Sequence, residues 1–167
     1  ADMSDTNNTT TSDVKARDEG VRICRDLIGI DTSNYGTDKG PGERKAAEYV
    51  MSQFTEVGLE PELLESEPGR ASVVVRIEGE DSSRGALVVH GHLDVVPANA
   101  DDWQVDPFAA EIKDDCVWGR GAVDMKDMAG MALALARQFK RDGTVPPREL
   151  VFAFLADEEA GGAWGAH

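Results

Sequence analysis

The sequence predicts an α/β fold in which a mostly parallel sheet is flanked by helices on both faces. Two observations carry that expectation. Stretches with helical apolar spacing alternate with short runs rich in Val, Leu and Phe, and no internal repeat interrupts the alternation. With 167 residues, 41% of them hydrophobic, the chain is also long enough to bury a core within one domain.

The elements follow in order. Residues 1–13 are polar, carry a Thr/Asn/Ser cluster and are expected to form a disordered N-terminal tail. From Val14 to Ile28, the spacing of Val21, Ile23, Cys24, Leu27 and Ile28 predicts a helix that Gly29 ends. The loop from Asp31 to Gly42 faintly resembles a calcium loop at its start. Tyr35 and Gly42, however, fall where oxygen ligands would be required, and that reading is rejected. A second helix is predicted over Glu43 to Val57, with Ala46, Ala47, Val50, Met51 and Phe54 on one face. Leu63-Leu64 suits a short strand, Ser72 to Glu78 an alternating one and Gly85 to His90 a buried one. Asp114-Asp115 marks a hairpin turn. Met125 to Lys140 predicts a largely buried helix through Met128, Ala129, Met131, Ala132, Leu133, Leu135 and Ala136. Beyond Pro146-Pro147, Glu149 to Ala156 reads as another buried strand.

Composition excludes several partners. Thirty-two acidic residues against seventeen basic ones give a net charge of -15, a field that repels nucleic acid and anionic membranes. No apolar run approaches a membrane span and no signal-like segment stands near the start, so a cytoplasmic location is expected. Cys24 and Cys116 form no CxxC pair and are expected to be free, buried thiols. An acidic surface with Arg outnumbering Lys suits solubility in high salt, so a halophilic source and an ordinary acidic bacterial one both stand.

Three polar clusters fall just past strand or hairpin ends, where α/β sheets bind ligands. The first is His90-Gly91-His92-Leu93-Asp94. A metal-bound imidazole needs an acceptor for its other N–H, and residues two apart on an extended segment point the same way, so Asp94 can reach His92. His90 competes for the ligand role but sits inside the apolar strand and reads as a core or supporting histidine. The second cluster, Gly119-Arg120-Gly121-Ala122-Val123-Asp124, lacks phosphate-loop spacing. It leaves Asp124 either a helix N-cap or a carboxylate held by close backbone approach. In the third, Asp157-Glu158-Glu159, adjacent anions repel unless they are solvated or neutralised by a divalent cation, with one left as a base. A set of His and carboxylates without cysteine favours zinc, then cobalt or manganese.

Together, Gly91-His92-Leu93-Asp94-Val95-Val96-Pro97, Gly119 to Lys126, and Asp157-Glu158-Glu159 with Gly161-Gly162 resemble one family. It is the di-zinc family of aminoacylase, acetylornithine deacetylase, succinyl-diaminopimelate desuccinylase and glutamate carboxypeptidase. The resemblance runs from about Val14 to the last residue and implies a zinc-exopeptidase-like catalytic domain. It further implies that His92 ligates one of two divalent metal ions with Asp94 orienting it. Asp124 then bridges both ions through a segment whose peptide bond to Met125 is cis, Glu158 is the general base and Glu159 ligates the second ion. The residues alone leave the choice between Glu158 and Glu159 open; the family pattern makes it. Asp127 stands where many relatives have Gly.

The implied activity is hydrolysis of an amide or peptide bond in a small substrate such as an N-acyl amino acid or dipeptide, in a full-length form that can be a homodimer. Relatives continue well past Asp-Glu-Glu with further ligands and a lid or dimerisation domain. Residues 14–167 are therefore expected to be the N-terminal portion of the catalytic domain, inactive alone, with His167 structural. Two rivals share the fold: a non-catalytic homologue kept for interaction, and a single-metal or calcium-stabilised structural protein. Retention of all five chemical residues argues against the first.

Overall fold

The computed structural model describes residues 11–36 and 40–166. Helix α1 (Thr11–Ile28) begins within the last residues of the expected tail; the rest of that tail, and His167, lie outside the described residues. Its stripe of Ile23, Cys24, Leu27 and Ile28 is buried, as the spacing requires. α1 packs along α3 (Lys126–Asp142). Gly130 permits that approach: a Cβ there would lie 2.8 Å from the Gly20 carbonyl oxygen and 3.0 Å from the Cys24 nitrogen. Helix α2 (Arg44–Glu56) buries Ala46, Ala47, Val50 and Phe54, and the Phe54 ring meets Phe154 with centroids 5.7 Å apart.

Six strands accompany the helices. β1 (Glu62–Glu67), β2 (Arg70–Ile77), β6 (Leu150–Leu155) and β3 (Leu87–His92) form one sheet in the order β1-β2-β6-β3. β4 (Glu111–Lys113) and β5 (Cys116–Trp118) form a hairpin around Asp114 and Asp115, both at positive φ.

The α/β class is as predicted, but the main sheet is mixed. β1–β2 and β2–β6 are antiparallel, and β3–β6 alone is parallel. The connections explain this. A two-residue turn at Pro68-Gly69 can join only antiparallel strands, whereas β3 reaches β6 by a crossover through α3.

Register then sets the faces. Val73 and Val75 pair with Phe154 and Phe152, and all four enter the core with Phe54, Leu133 and Ala129. The three helices form one layer, α3 touching α1, α2, β3 and β6. Among the described residues no helix layer covers the opposite face, so flanking on both faces is not what the chain displays.

Three burial expectations change. The first part of β3 is not buried: Leu87 is 50% and Val88 55% exposed, and His90 is exposed rather than in the core. α3 buries Ala129, Leu133 and Ala136 but leaves Met128, Met131 and Leu135 about half exposed. These three line an apolar hollow of ≈ 290 Å³ with Val89 and Gly91 along β3. Cys24 is buried, but Cys116, on the short hairpin, is exposed. No described helix is long and apolar enough to cross a membrane.

Candidate metal centre

Parallel pairing puts the carboxyl ends of β3 and β6 side by side, with His92 opposite Leu155. His92 closes β3, and Asp157-Glu158-Glu159 follows β6 after a single residue. The chain reverses at Asp157, in the left-handed region at φ 62, into the short 3-10 turn Glu158–Ala160. The third cluster arrives on the loop between β5 and α3. Gly121, at φ 84, lets that loop lie against the segment after β3, where a Cβ would come within 2.7 Å of Val95 Cγ1. Buried Lys126 ties the loop to the end of α1, its Nζ donating to the carbonyls of Leu27 and Ile30 at 2.8 Å each. Burial lowers its pKa to about 8 against the nearby negative charge of Asp31. The Asp124–Met125 peptide is cis. Met125, not Asp124, occupies the N-cap of α3, leaving the Asp124 side chain 75% exposed and directed to His92.

One ligand atom from each of His92, Asp124 and Glu159 lies within 4.8 Å of the other two. His92 Nε2 is 3.1 Å from Asp124 Oδ1 and 3.7 Å from Glu158 Oε2. Its Nδ1 donates to the Asp94 backbone carbonyl at 2.9 Å, which fixes that nitrogen as protonated and turns Nε2 toward the carboxylates. Burial works against the charged imidazolium, but hydrogen bonds to Asp94 and Asp124 and the charge of Asp94 outweigh it and raise the pKa to about 9. Glu159 is shifted upward by burial and by the neighbouring charges of Asp124 and Asp94, with His92 opposing.

Asp94 is fully buried and plays a broader part than its spacing suggests. Its carboxylate Oδ1 lies 3.4 Å from His92 Nδ1, beyond the backbone contact. The two oxygens instead accept the backbone N–H groups of Glu158, at 3.1 Å, and Glu159, at 3.0 Å. Burial alone would raise this carboxyl, but the neighbouring His92 ring and the hydrogen bonds from Asn34 and the Glu159 amide hold it below the ordinary range.

Four supporting residues escape sequence reasoning: Asn34, Glu43, Arg70 and Asp157 as a buried partner. The 31–34 loop runs beside the segment after β3 through the Ser33–Val95 bridge, with Thr32 Oγ1 donating to the Leu93 carbonyl at 2.7 Å. Asn34 Nδ2 then donates to Asp94 Oδ2 at 2.8 Å and Asp157 Oδ1 at 3.0 Å. Arg70 donates to Asn34 Oδ1 and to Glu43 Oε1. Polar side chains in a Gly/Asp-rich loop carry no periodic signal, and Glu43 reads locally as the first residue of an amphipathic helix. Exposed His90, by contrast, lies outside the cluster.

The donor chemistry fits a divalent cation. One imidazole whose far nitrogen is already engaged, with two carboxylates and no thiolate, matches the preferences of zinc and its neighbours. Glu158 stands beside that set, its Oε2 3.7 Å from His92 Nε2.

The profile of Peptidase family M20/M25/M40 matches residues 88–167, which include all five candidate residues. Aminoacylase-1 of Dictyostelium discoideum is 32% identical over 147 residues, 87% of this chain and 35% of that protein. Succinyl-diaminopimelate desuccinylase of Roseobacter denitrificans is 49% identical over 71 residues, 42% of this chain and 18% of that protein. Human carnosine dipeptidase 1 shares the fold with a TM-score of 0.73 at 22% identity, over 92% of this chain and 34% of the other. The chain thus spans roughly a third of the length of the aminoacylases it matches.

Proposed function

This chain is related to Peptidase family M20/M25/M40 through residues 88–167, and on that premise we propose that the complete protein is a metal-dependent hydrolase of small amide or peptide substrates. The observation that carries the reading is the convergence of His92, Asp124 and Glu159 at the carboxyl ends of β3 and β6, with Glu158 beside them. In this reading His92, Asp124 and Glu159 would hold the metal. Two divalent cations, zinc-type with cobalt or manganese as alternatives, supply when bound a lowered pKa for water and polarisation of the scissile carbonyl.

The protein's own residues do the rest. Asp94 grips the Glu158 and Glu159 amides and so fixes where both side chains start. Its backbone carbonyl fixes the His92 tautomer. Glu158 is the general base: its carboxylate takes a proton from the attacking water and returns it to the leaving amine nitrogen. N-acyl amino acids, dipeptides and related amides are the substrate class. A cytoplasmic location and a homodimeric full-length form belong to the same proposal, on composition and family resemblance alone.

The test is Glu158→Ala in the complete protein. Metal content should match wild type while turnover falls by about 10²- to 10⁴-fold, the usual contribution of a positioned acid–base group. Near-normal turnover on N-acyl amino acids and dipeptides would sink the assignment.

A further inference from the structure

The centre rests on a buried amide whose hydrogen-bonding capacity is fully used. Asn34 is 5% exposed, and its side chain has two N–H donors and an oxygen with two lone pairs. Both donors are taken, by Asp94 Oδ2 and Asp157 Oδ1. The oxygen accepts from the Gly36 amide at 3.0 Å and from Arg70 Nη2 at 3.2 Å. This orientation is forced. Two ionised carboxylates can only accept and a backbone N–H and a guanidinium can only donate, so a flipped amide would lose all four contacts.

The partners give that amide leverage on the proposed chemistry. Asp94 Oδ2 is shared between Asn34 and the Glu159 amide, while Oδ1 takes the Glu158 amide. Asp157, the other carboxylate that Asn34 grips, opens the same turn and accepts the Trp164 amide at 3.2 Å. A single neutral side chain therefore spans two anions on two strand ends and holds them together without adding charge. Arg70, anchored on Glu43 at 2.6 Å, backs it from β2.

Resting on the function proposed above, we infer that Asn34 is a positioning residue for the Glu158–Glu159 turn, acting through Asp94 and Asp157. It holds the Asp94 carboxylate where that group can accept both turn amides, and so aims Glu158 and Glu159 toward His92. An aspartate at this position would keep the shape, remove both donors and set a further negative charge against two carboxylates.

The experiment compares Asn34→Ala and Asn34→Asp with wild type in the complete protein. Amide hydrogen exchange in the metal-free form reads the Glu158 and Glu159 N–H groups directly. Both variants should speed exchange of these two amides by roughly tenfold or more, about the weight of one charge-assisted hydrogen bond. Amides within β6 should keep wild-type exchange. In the zinc-loaded form kcat should fall by roughly tenfold or more with KM little changed, and Asn34→Asp should be the worse of the two. Unchanged exchange at Glu158 and Glu159, or a lowered melting temperature with wild-type kcat, would overturn the inference. If Asn34→Ala does not fold, Asn34→Ser, whose hydroxyl can donate only one hydrogen bond, gives the same comparison with a smaller expected effect. A wild-type protein without amide hydrolysis would defeat the proposed function, yet the metal-free exchange comparison would still decide the role of Asn34.

Discussion

Glu43 carries an electrostatic load that its place at the start of α2 does not announce. It is fully buried, one oxygen is bound by Arg70, and Oε2 has no hydrogen-bond partner among the described residues. Burial, together with the charge of Asp94 and against the pull of Arg70, raises its pKa from an ordinary 4.5 to about 7. The sign follows from linkage. With the folded pKa above the unfolded one, the native state binds more protons between these values, so this contribution to stability is complete below pH 4.5 and is lost as pH rises through 7. Glu43→Gln does not titrate. The variant is therefore expected to gain on wild type by on the order of 2 kcal/mol between pH 4.5 and 8, measured by urea unfolding. An unchanged difference across that range would show that Glu43 is ionised throughout. Asn34 and Arg70 have the same character as Glu43: each is unremarkable in sequence, and each matters because of a partner brought from another part of the chain.

Elements matter here chiefly through their ends. β3 and β6 begin as ordinary apolar strands, and their value to the site lies in His92, which closes β3, and in the residues that follow the two strands. The loop before α3 is held by the close contact at Gly121 and by the buried ammonium of Lys126. Gly121→Ala would force a side chain into left-handed backbone and against Val95. It is expected to lose about 2 kcal/mol of stability in urea unfolding and to weaken metal binding by displacing Asp124. A variant with wild-type stability would mean that the loop can relax away from Val95. Periodicity located α1, α2, α3 and the strands to within a few residues, but it overstated burial in β3 and α3. An apolar side chain reports that it can be buried; whether a layer covers it is a property of its neighbours.

At the scale of the molecule, the charge of -15 sets the response to solvent. If the surface is matched to high salt, unfolding midpoints of the complete protein should rise as potassium chloride increases from about 0.1 M to about 1 M, beyond the point where ordinary screening saturates. No gain would favour an ordinary acidic protein. Much was legible before the fold was known. The sequence by itself determined the α/β class and named His92, Asp94, Asp124, Glu158 and Glu159 as candidates, because side-chain period and short chemical motifs are properties of adjacent residues. Only the tertiary structure decided that these residues meet, that the sheet is mixed and covered by helices on one face, and that Asn34 spans Asp94 and Asp157. Those facts depend on strand order and on contacts such as Asn34 to Asp157 and Lys126 to Leu27, between groups far apart in the chain. Such contacts leave no local period, since topology brings the partners together and buried polar groups must then find donors and acceptors among whatever it places beside them.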